Sequence, residues 1–214
     1  VLPAQKPVTI ECRIGEGIGK IMQLSGVNNG QQKILASASY AQNGYYGFRF
    51  IPEYEGFYVL GDGKNHEYPL YLKAGDAVSL FMDKDTIYLT GKNNTAENKV
   101  LYDWVKLSKR VCEKSIFFTR SRSTYEDFFP EFEVLLSKIK PFCKNIETKN
   151  SRFNELMKHF ISYELDRFAL NFIYTPRSKH PSKEQRIAYY NSIVDNNKFQ
   201  DCLLYTSDAA DDKA

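Results

Sequence analysis

The first ninety residues alternate apolar and polar side chains in short runs. In the first run, Val8, Ile10 and Cys12 fall on one face while Thr9 and Glu11 fall on the other, which is the pattern of a strand with one side on a core. The same alternation predicts eight strands: Val8–Ile14, Lys20–Leu24, Lys33–Ala38, Tyr46–Ile51, Phe57–Leu60, Tyr68–Leu72, Ala77–Met82 and Thr86–Thr90.

Turn sequences rich in Gly, Asn and Asp separate these runs. Asn43-Gly44, Gly61-Asp62-Gly63 and Ala74-Gly75-Asp76 all suit tight reversals of the chain. Turns at this density predict that the strands form an antiparallel sandwich or barrel.

From Thr95 onward the apolar spacing changes to three and four residues, which predicts helices. Thr95 is a candidate cap for the first helix. A second is predicted over 123–140, with Pro130 inside it and Pro141 ending it, and a third over 151–173. A fourth is predicted from Ser182, where Ser182 and Gln185 suit a capping box. The apolar stripe of the third helix is predicted to be core or an interface: Phe153, Leu156, Phe160, Leu165, Phe168 and Phe172.

These patterns together predict an α+β protein with an N-terminal antiparallel β-sandwich-like domain followed by an all-helical segment. The predicted organisation is a residual signal or linker over 1–6, the β domain over 7–94, a helical connector over 95–200 and a non-native tail over 201–214. The start, Val1-Leu2-Pro3-Ala4-Gln5, resembles the end of a secretory signal and predicts export.

The tail is assigned as non-native because Cys202–Asp212 reads as an in-frame translation of a transposase-type sequencing adapter. Removing residues 202–214 takes away one lysine and three aspartates, so the formal net charge rises from +3 to +5. The remaining basic residues are interspersed with acids, which is typical of a solvated surface and argues against a nucleic-acid partner.

The chain is 43% hydrophobic and 14% aromatic, which favours a folded protein over a disordered one. It contains no apolar run long enough to predict a transmembrane span. Outside the tail its cysteines are Cys12, Cys112 and Cys143, without any CxxC pair, so neither a zinc knuckle nor a redox dithiol is expected. Cys112 and Cys143 could form a disulfide in an oxidising compartment.

The glycine-rich loop and the histidines, which could suggest a phosphate or metal site, are predicted to have structural roles. The loop Gly15-x-Gly17-x-Gly19-Lys20 resembles a phosphate-binding loop but is followed by a predicted strand instead of a helix. The histidines His66, His159 and His180 are far apart in sequence, so no metal site is predicted. No cofactor and no catalytic residue is predicted.

Two further groups lie in the β region. The carboxylates Asp83, Asp85, Glu53 and Glu55 could in principle form an acid/base pair for sugar hydrolysis, although turn chemistry explains them more simply. A set of tyrosines could form a platform for sugar rings or a protein partner, or could simply pack across strands: Tyr40, Tyr45, Tyr46, Tyr54 and Tyr58.

Four segments in a fixed order carry a resemblance to a known family. They are Ile10–Leu24 with its Gly15-Glu16-Gly17 turn, Gly47-Phe48-Arg49-Phe50 with the following strand Phe57–Leu60, Leu70–Leu80 with its Gly75-Asp76 turn, and Leu89–Asn98 with its Thr90-Gly91 step. Over residues 7 to 115 the chain resembles the N-terminal domain of unknown function that precedes the thioredoxin module in exported thiol–disulfide oxidoreductases of the TlpA/ResA kind from Gram-negative bacteria. The helices, with Arg167–Ile173 and Tyr189-Tyr190, are similar to the connector of these proteins.

In that family the redox chemistry belongs to a Trp-Cys-x-x-Cys motif. This sequence departs from the pattern, because Trp104 is followed by Val105 and no CxxC is present. The resemblance therefore implies a non-catalytic accessory half, at the periplasm or cell envelope, that docks an envelope protein for a redox domain outside this chain. The alternative is an extracytoplasmic β-sandwich module that binds carbohydrate or protein without a redox role.

Overall fold

The computed structural model describes residues 6–28, 31–39, 44–63, 66–116 and 122–195. The leader-like start Val1–Gln5, Tyr40 and the adapter-like tail 201–214 lie outside the described residues. The chain divides into two compact units between Tyr102 and Asp103. We call them the β unit and the helical unit.

Eight strands lie among the described residues of the β unit, and the fold class predicted from the sequence is confirmed. The strands are β1 (Val8–Ile14), β2 (Ile21–Asn28), β3 (Gln31–Ser39), β4 (Tyr45–Phe50), β5 (Gly56–Gly61), β6 (Glu67–Leu72), β7 (Ala77–Met82) and β8 (Ile87–Leu89). They make two four-stranded sheets, sheet A in the order β4-β1-β7-β8 and sheet B in the order β3-β2-β5-β6.

Sheet B is antiparallel throughout, whereas sheet A contains one parallel pair. Strand β1 runs antiparallel to β4 but parallel to β7, with Arg13 opposite Phe81. This pair is the exception to the antiparallel pairing that the sequence predicts. A parallel neighbour requires a long crossover, and the crossover here consists of all the residues between β1 and β7.

The core of the β unit lies between the two sheets. The alternation of β1 buries Val8, Ile10 and Cys12 to 1% exposure or less, while Glu11 and Arg13 on the same strand are exposed. Across the interior, the ring of Tyr58 in sheet B meets Phe50 of sheet A edge to face, with the centroids 5.8 Å apart.

Two buried asparagines attach the start of the first helix to both sheets. The amide of Asn94 accepts from Ser79 N at 2.9 Å and donates to Ser79 O at 3.0 Å on β7. The amide of Asn98 accepts from Tyr71 N at 3.0 Å and donates to Tyr71 O at 2.8 Å on β6, an edge strand. On the edge strand β6, the Asn98 side chain therefore replaces a missing strand neighbour, and on β7 the Asn94 side chain continues the pairing just beyond the end of β8. Gly91, with φ +73°, turns the chain into this segment.

The helices are α1 (Ala96–Ile116), α2 (Tyr125–Lys144), α3 (Ser151–Tyr174) and α4 (Tyr189–Asp195). The cap predicted for α1 is confirmed, because Thr95 Oγ1 accepts from Asn98 N at 3.3 Å. Asn150 caps α3 by accepting from Phe153 N at 3.0 Å.

Two predicted helix boundaries are wrong. Helix α2 continues through Pro141 to Lys144, because a proline costs only one backbone bond there and Phe142 packs against Trp104, with the ring centroids 5.9 Å apart. The fourth helix begins at Tyr189 and not at Ser182. Ser182 N does donate to Gln185 Oε1 at 2.9 Å, but this contact belongs to an isolated turn.

The core of the helical unit is aromatic. The rings of Phe128 and Phe172 stack 4.1 Å apart at an angle of 1°. On α3 the buried stripe is Phe153, Met157, Ile161, Leu165, Phe168 and Phe172, whereas Leu156 and Phe160 are only half-buried. The prediction that this stripe packs in the core is thus confirmed for Phe153, Leu165, Phe168 and Phe172. Among the described helices, none has the length and apolarity needed to cross a bilayer.

Candidate functional site

The outward face of sheet A carries a row of aromatic and cationic side chains. Register places Tyr45 opposite Arg13, Arg13 opposite Phe81 and Phe81 opposite Tyr88, one residue from each of four neighbouring strands. We call these four residues the outer row. Because neighbouring strands lie about 4.8 Å apart, the row extends for roughly 14 Å across the sheet.

The outer row is accessible. Tyr45 and Tyr88 are 43% and 44% exposed, which is high for large aromatic side chains. Phe81 stacks on Tyr88, with the centroids 4.9 Å apart and the rings 23° from parallel. Arg13, between the tyrosine of β4 and this stacked pair, is exposed. The row therefore presents flat apolar rings on both sides of a guanidinium.

An open depression of about 360 Å³ adjoins the outer row, lined by Glu11, Tyr45, Tyr46 and Gly47. Gly47 lies opposite Glu11 in the β1–β4 pair. A Cβ built on Gly47 would meet only the backbone oxygen of Ile10, at 3.9 Å. The missing side chain of Gly47 thus creates the depression, and a larger residue could fill it without a clash.

One charged side chain, Glu11, lines the depression, and two more lie on neighbouring positions of the same face. Glu11 projects from β1, and Arg13 lies two residues further along the same strand. Arg49 lies on β4, two residues beyond Gly47. All three are exposed. Within the described part of the chain, none of them takes part in an ion pair. Their hydrogen-bonding groups are therefore available to a ligand.

The tyrosines predicted as a platform are separated by the fold. Tyr45 lies in the outer row, whereas Tyr46 points inward and donates to Gly19 O at 2.9 Å. Tyr54 and Tyr58 stack on each other at 4.8 Å. Burial raises the pKa of Tyr54, against a backbone hydrogen bond with Val27 that lowers it. Tyr46 and Tyr58 are thus buried inside the β unit, and Tyr54, in the loop before β5, stacks on Tyr58 and accepts from Val27 N at 2.8 Å.

The remaining candidates form local structural contacts. Asp83 Oδ1 accepts from the backbone N–H groups of Asp85 and Thr86, at 2.8 and 2.6 Å, which confirms turn chemistry for this carboxylate. Glu55 accepts from the Tyr71 hydroxyl at 2.9 Å. Glu53 is exposed.

The histidines and the glycine loop likewise do not converge. His66 Nδ1 lies 2.8 Å from Asp62 Oδ2, His180 Nε2 accepts from Arg177 N at 3.1 Å, and His159 is exposed on α3. Among the described residues, no group of three potential ligands is placed to hold a metal. The loop Gly15–Lys20 leads into strand β2, as predicted.

All three described cysteines are free thiols, so the structure contains no Cys112–Cys143 disulfide. Burial raises the pKa of Cys12 to about 12. Burial also raises the pKa of Cys112 to about 11, although the nearby Arg167 guanidinium opposes the shift. For Cys143, burial raises the pKa against the opposing charge of Lys158. None of these thiols has the lowered pKa that favours a reactive thiolate.

Alkylation of the native chain by iodoacetamide at mildly alkaline pH is expected to spare Cys12. With a pKa of about 12, its thiolate fraction is roughly a thousandfold below that of an unfolded thiol near 8.5. Among Cys12, Cys112 and Cys143, peptide mass mapping should show the half-buried Cys143 labelled first, and all three should be labelled in denaturant. Equal native labelling of Cys12 and Cys143 would contradict the burial of Cys12.

Comparisons with known proteins supply no family. No family model matches the chain, and no curated protein matches it. One solved structure that resembles it, from Bacteroides fragilis and described as a "putative cell adhesion protein", is 17% identical over 42% of this chain, with a TM-score of 0.23. The matched region spans 45% of that protein's chain. A likeness this slight carries no argument about function.

Proposed function

We propose that the β unit is a non-catalytic binding module of the cell envelope and that it holds a carbohydrate on the outward face of sheet A. The observation that carries the proposal is the outer row, with Tyr45 and Tyr88 more than two-fifths exposed beside a depression lined by Glu11 and Gly47. Large aromatic side chains are usually buried, so exposed rings aligned on one face favour a binding role.

The chemistry of the face suits sugar rings. A pyranose has an apolar face of C–H groups and a rim of hydroxyls. A tyrosine offers a flat apolar ring with a polar tip for the former, and a carboxylate such as that of Glu11 accepts hydrogen bonds from the latter. Gly47 leaves room for a ring beside Tyr45. A rigid sheet also presents these groups without a cost in ordering loops.

Filling the depression is expected to abolish binding while leaving the fold intact. In Gly47→Leu, the new side chain would occupy the space where the ligand lies, because a Cβ at this position meets only a backbone oxygen at 3.9 Å. Tyr45→Ala should lower affinity about tenfold by removing a stacking ring. An array of neutral and acidic oligosaccharides, followed by calorimetry on the best ligand, measures both effects.

Ile34→Ala is the matched control, since Ile34 is 55% exposed on the opposite sheet. It should leave affinity unchanged, and thermal unfolding should be similar in all three variants. If Gly47→Leu and Tyr45→Ala bound the array ligand as tightly as the parent chain, the outward face of sheet A would not be the binding site.

As an alternative, we propose that the same face docks a protein for an exported thiol–disulfide oxidoreductase. The support is the ordered set of segments that resembles the TlpA/ResA kind, because one of those segments, Gly47–Phe50, contains both Gly47 and Arg49 of this face. Sequencing the source gene beyond residue 200 tests this role. A Trp-Cys-x-x-Cys motif in a following thioredoxin-like domain would support it, and a following domain without paired cysteines would count against it.

A further inference from the structure

We infer that the carbohydrate bound on sheet A is acidic, a chain of uronic acid residues whose carboxylates are recognised by Arg13 and Arg49. This inference rests on the proposed function and names the class of its ligand. It is carried by the charge of the face around the depression: Glu11 is the one charged residue that lines the depression, and two exposed arginines lie two residues beyond the lining positions, Arg13 from Glu11 along β1 and Arg49 from Gly47 along β4.

The positions of the two arginines suit a ligand chain that carries carboxylates at intervals along its length. Arg13 lies opposite Tyr45, and Arg49 lies opposite Thr9, on adjacent strands of the same sheet. Thr9 and Arg13 are four positions apart along β1, so the two guanidinium groups originate roughly 13 Å apart along the strand direction. The pair Glu11 and Gly47 lies midway between them. A sugar ring over Gly47 would therefore have a guanidinium toward either end of the depression.

The chemistry of the side chains favours a carboxylate ligand. The planar guanidinium matches a carboxylate through two parallel hydrogen bonds. Because neither arginine has an ion-pair partner within the described residues, binding a carboxylate breaks no existing salt bridge. Glu11 would repel a carboxylate placed directly over it, so it selects the register in which a hydroxyl faces Glu11 and the carboxylates face the arginines.

Three probes of matched backbone or charge test the inference by calorimetry: an oligogalacturonate, its fully methyl-esterified form, and an oligoglutamate. The oligogalacturonate is expected to bind about tenfold more tightly than the ester, a difference of about 1.4 kcal/mol, and the preference should shrink as salt rises. The oligoglutamate carries the same charge without sugar rings and is expected to bind far more weakly than the oligogalacturonate.

Variants of the parent chain locate the effect. Arg13→Met and Arg49→Met should each reduce the preference for the acid over the ester by about threefold while retaining binding of the ester. Arg13→Lys should keep only part of the preference for the acid over the ester, because an ammonium lacks the paired donors of a guanidinium. Lys33→Met removes one exposed positive charge from the opposite sheet and should leave the affinities for both the acid and the ester unchanged.

The outcomes separate this inference from the proposed function. Equal binding of the acid and the ester would overturn the acidic ligand and leave a carbohydrate site in place. Oligoglutamate binding as tight as that of the oligogalacturonate would overturn both and favour an acidic protein partner. Failure of both sugar probes to bind, with other array sugars retained, would overturn the inference alone, and loss of all sugars would overturn both.

Discussion

Arg177→Met is expected to lower the stability of the helical unit by about 3 to 5 kcal/mol. Arg177 as a residue is 9% exposed, and its guanidinium donates five hydrogen bonds, all to oxygen atoms: to Phe172 O, to Ser123 O and Oγ, and to Lys114 O and Ser115 O, at 2.8 to 3.2 Å. Methionine retains the volume of the stem but offers none of these donors.

The effect is large because of what the acceptors are. Lys114 and Ser115 lie in the last turn of α1, and Phe172 in the last turn of α3. The last four carbonyls of a helix have no partner within it, and the helix dipole places partial negative charge there. Arg177 therefore satisfies and neutralises two helix ends at once, and its carbon Cζ lies 4.0 Å from the centroid of the Phe172 ring. Burial lowers the pKa of Arg177, but an arginine remains protonated at neutral pH.

Trp104 provides the measurement. It is the single tryptophan of the chain and is fully buried in the helical unit, so its fluorescence in a urea titration reports the unfolding of that unit. The free energy of unfolding of Arg177→Lys should fall by about half as much as that of Arg177→Met, since an ammonium can reach fewer of the acceptors. Arg152→Met, at an exposed position of α3, should stay within about 0.5 kcal/mol of the parent. Equal stabilities for Arg177→Met and Arg152→Met would show that the buried contacts contribute nothing.

Local sequence patterns were sufficient to predict the strands. Period-two alternation is a property of consecutive residues, and it predicted all eight strands, with the bounds of β1 and β7 unchanged in the structure. Pairing between distant strands leaves no such local pattern. The parallel pairing of β1 with β7, which brings Arg13 beside Phe81, could not be predicted, so of the outer row only Tyr45 was among the candidates. Consecutive strand residues point to opposite faces, so the adjacent Tyr45 and Tyr46 cannot belong to one platform.

The polar contacts that anchor the fold were also missed, because their residue types have several common uses. Asn94 and Asn98 precede or begin a helix, where asparagine is typical of caps and turns. Arg177 follows Pro176 in a polar stretch that resembles a surface loop. In both cases the partners are backbone groups of other elements. Backbone groups are present at every residue, so sequence gives no sign of which ones a side chain will meet.

Asn98→Leu is expected to destabilise the β unit by about 3 kcal/mol. Asn98 is fully buried, and its amide satisfies both Tyr71 N and Tyr71 O on the edge strand β6. Leucine has a similar volume but leaves both backbone groups buried without partners, at roughly 1 to 3 kcal/mol each. Hydrogen exchange followed by NMR gives a direct readout, because the Tyr71 amide should lose its protection while the amides of the central strands of sheet B keep theirs.

In Asn98→Asp, pH distinguishes the hydrogen bond that residue 98 accepts from Tyr71 N from the one that it donates to Tyr71 O. The new carboxyl group can still accept from Tyr71 N, but when ionised it faces Tyr71 O without a proton to donate. Burial and this carbonyl would raise its folded-state pKa above the unfolded value of about 3.9. The protonated form can donate, so its stabilising contribution is present below the unfolded pKa and is lost as pH rises through the folded pKa.

The stability gap between Asn98→Asp and the parent chain should therefore be small in acid and widen toward neutral pH. Asn93→Asp adds the same charge at an exposed position just before α1 and should show a gap that barely changes with pH. Urea titrations at several pH values compare the three proteins. A gap for Asn98→Asp that was constant from acid to neutral pH would mean that the donated bond to Tyr71 O does not stabilise the edge of sheet B.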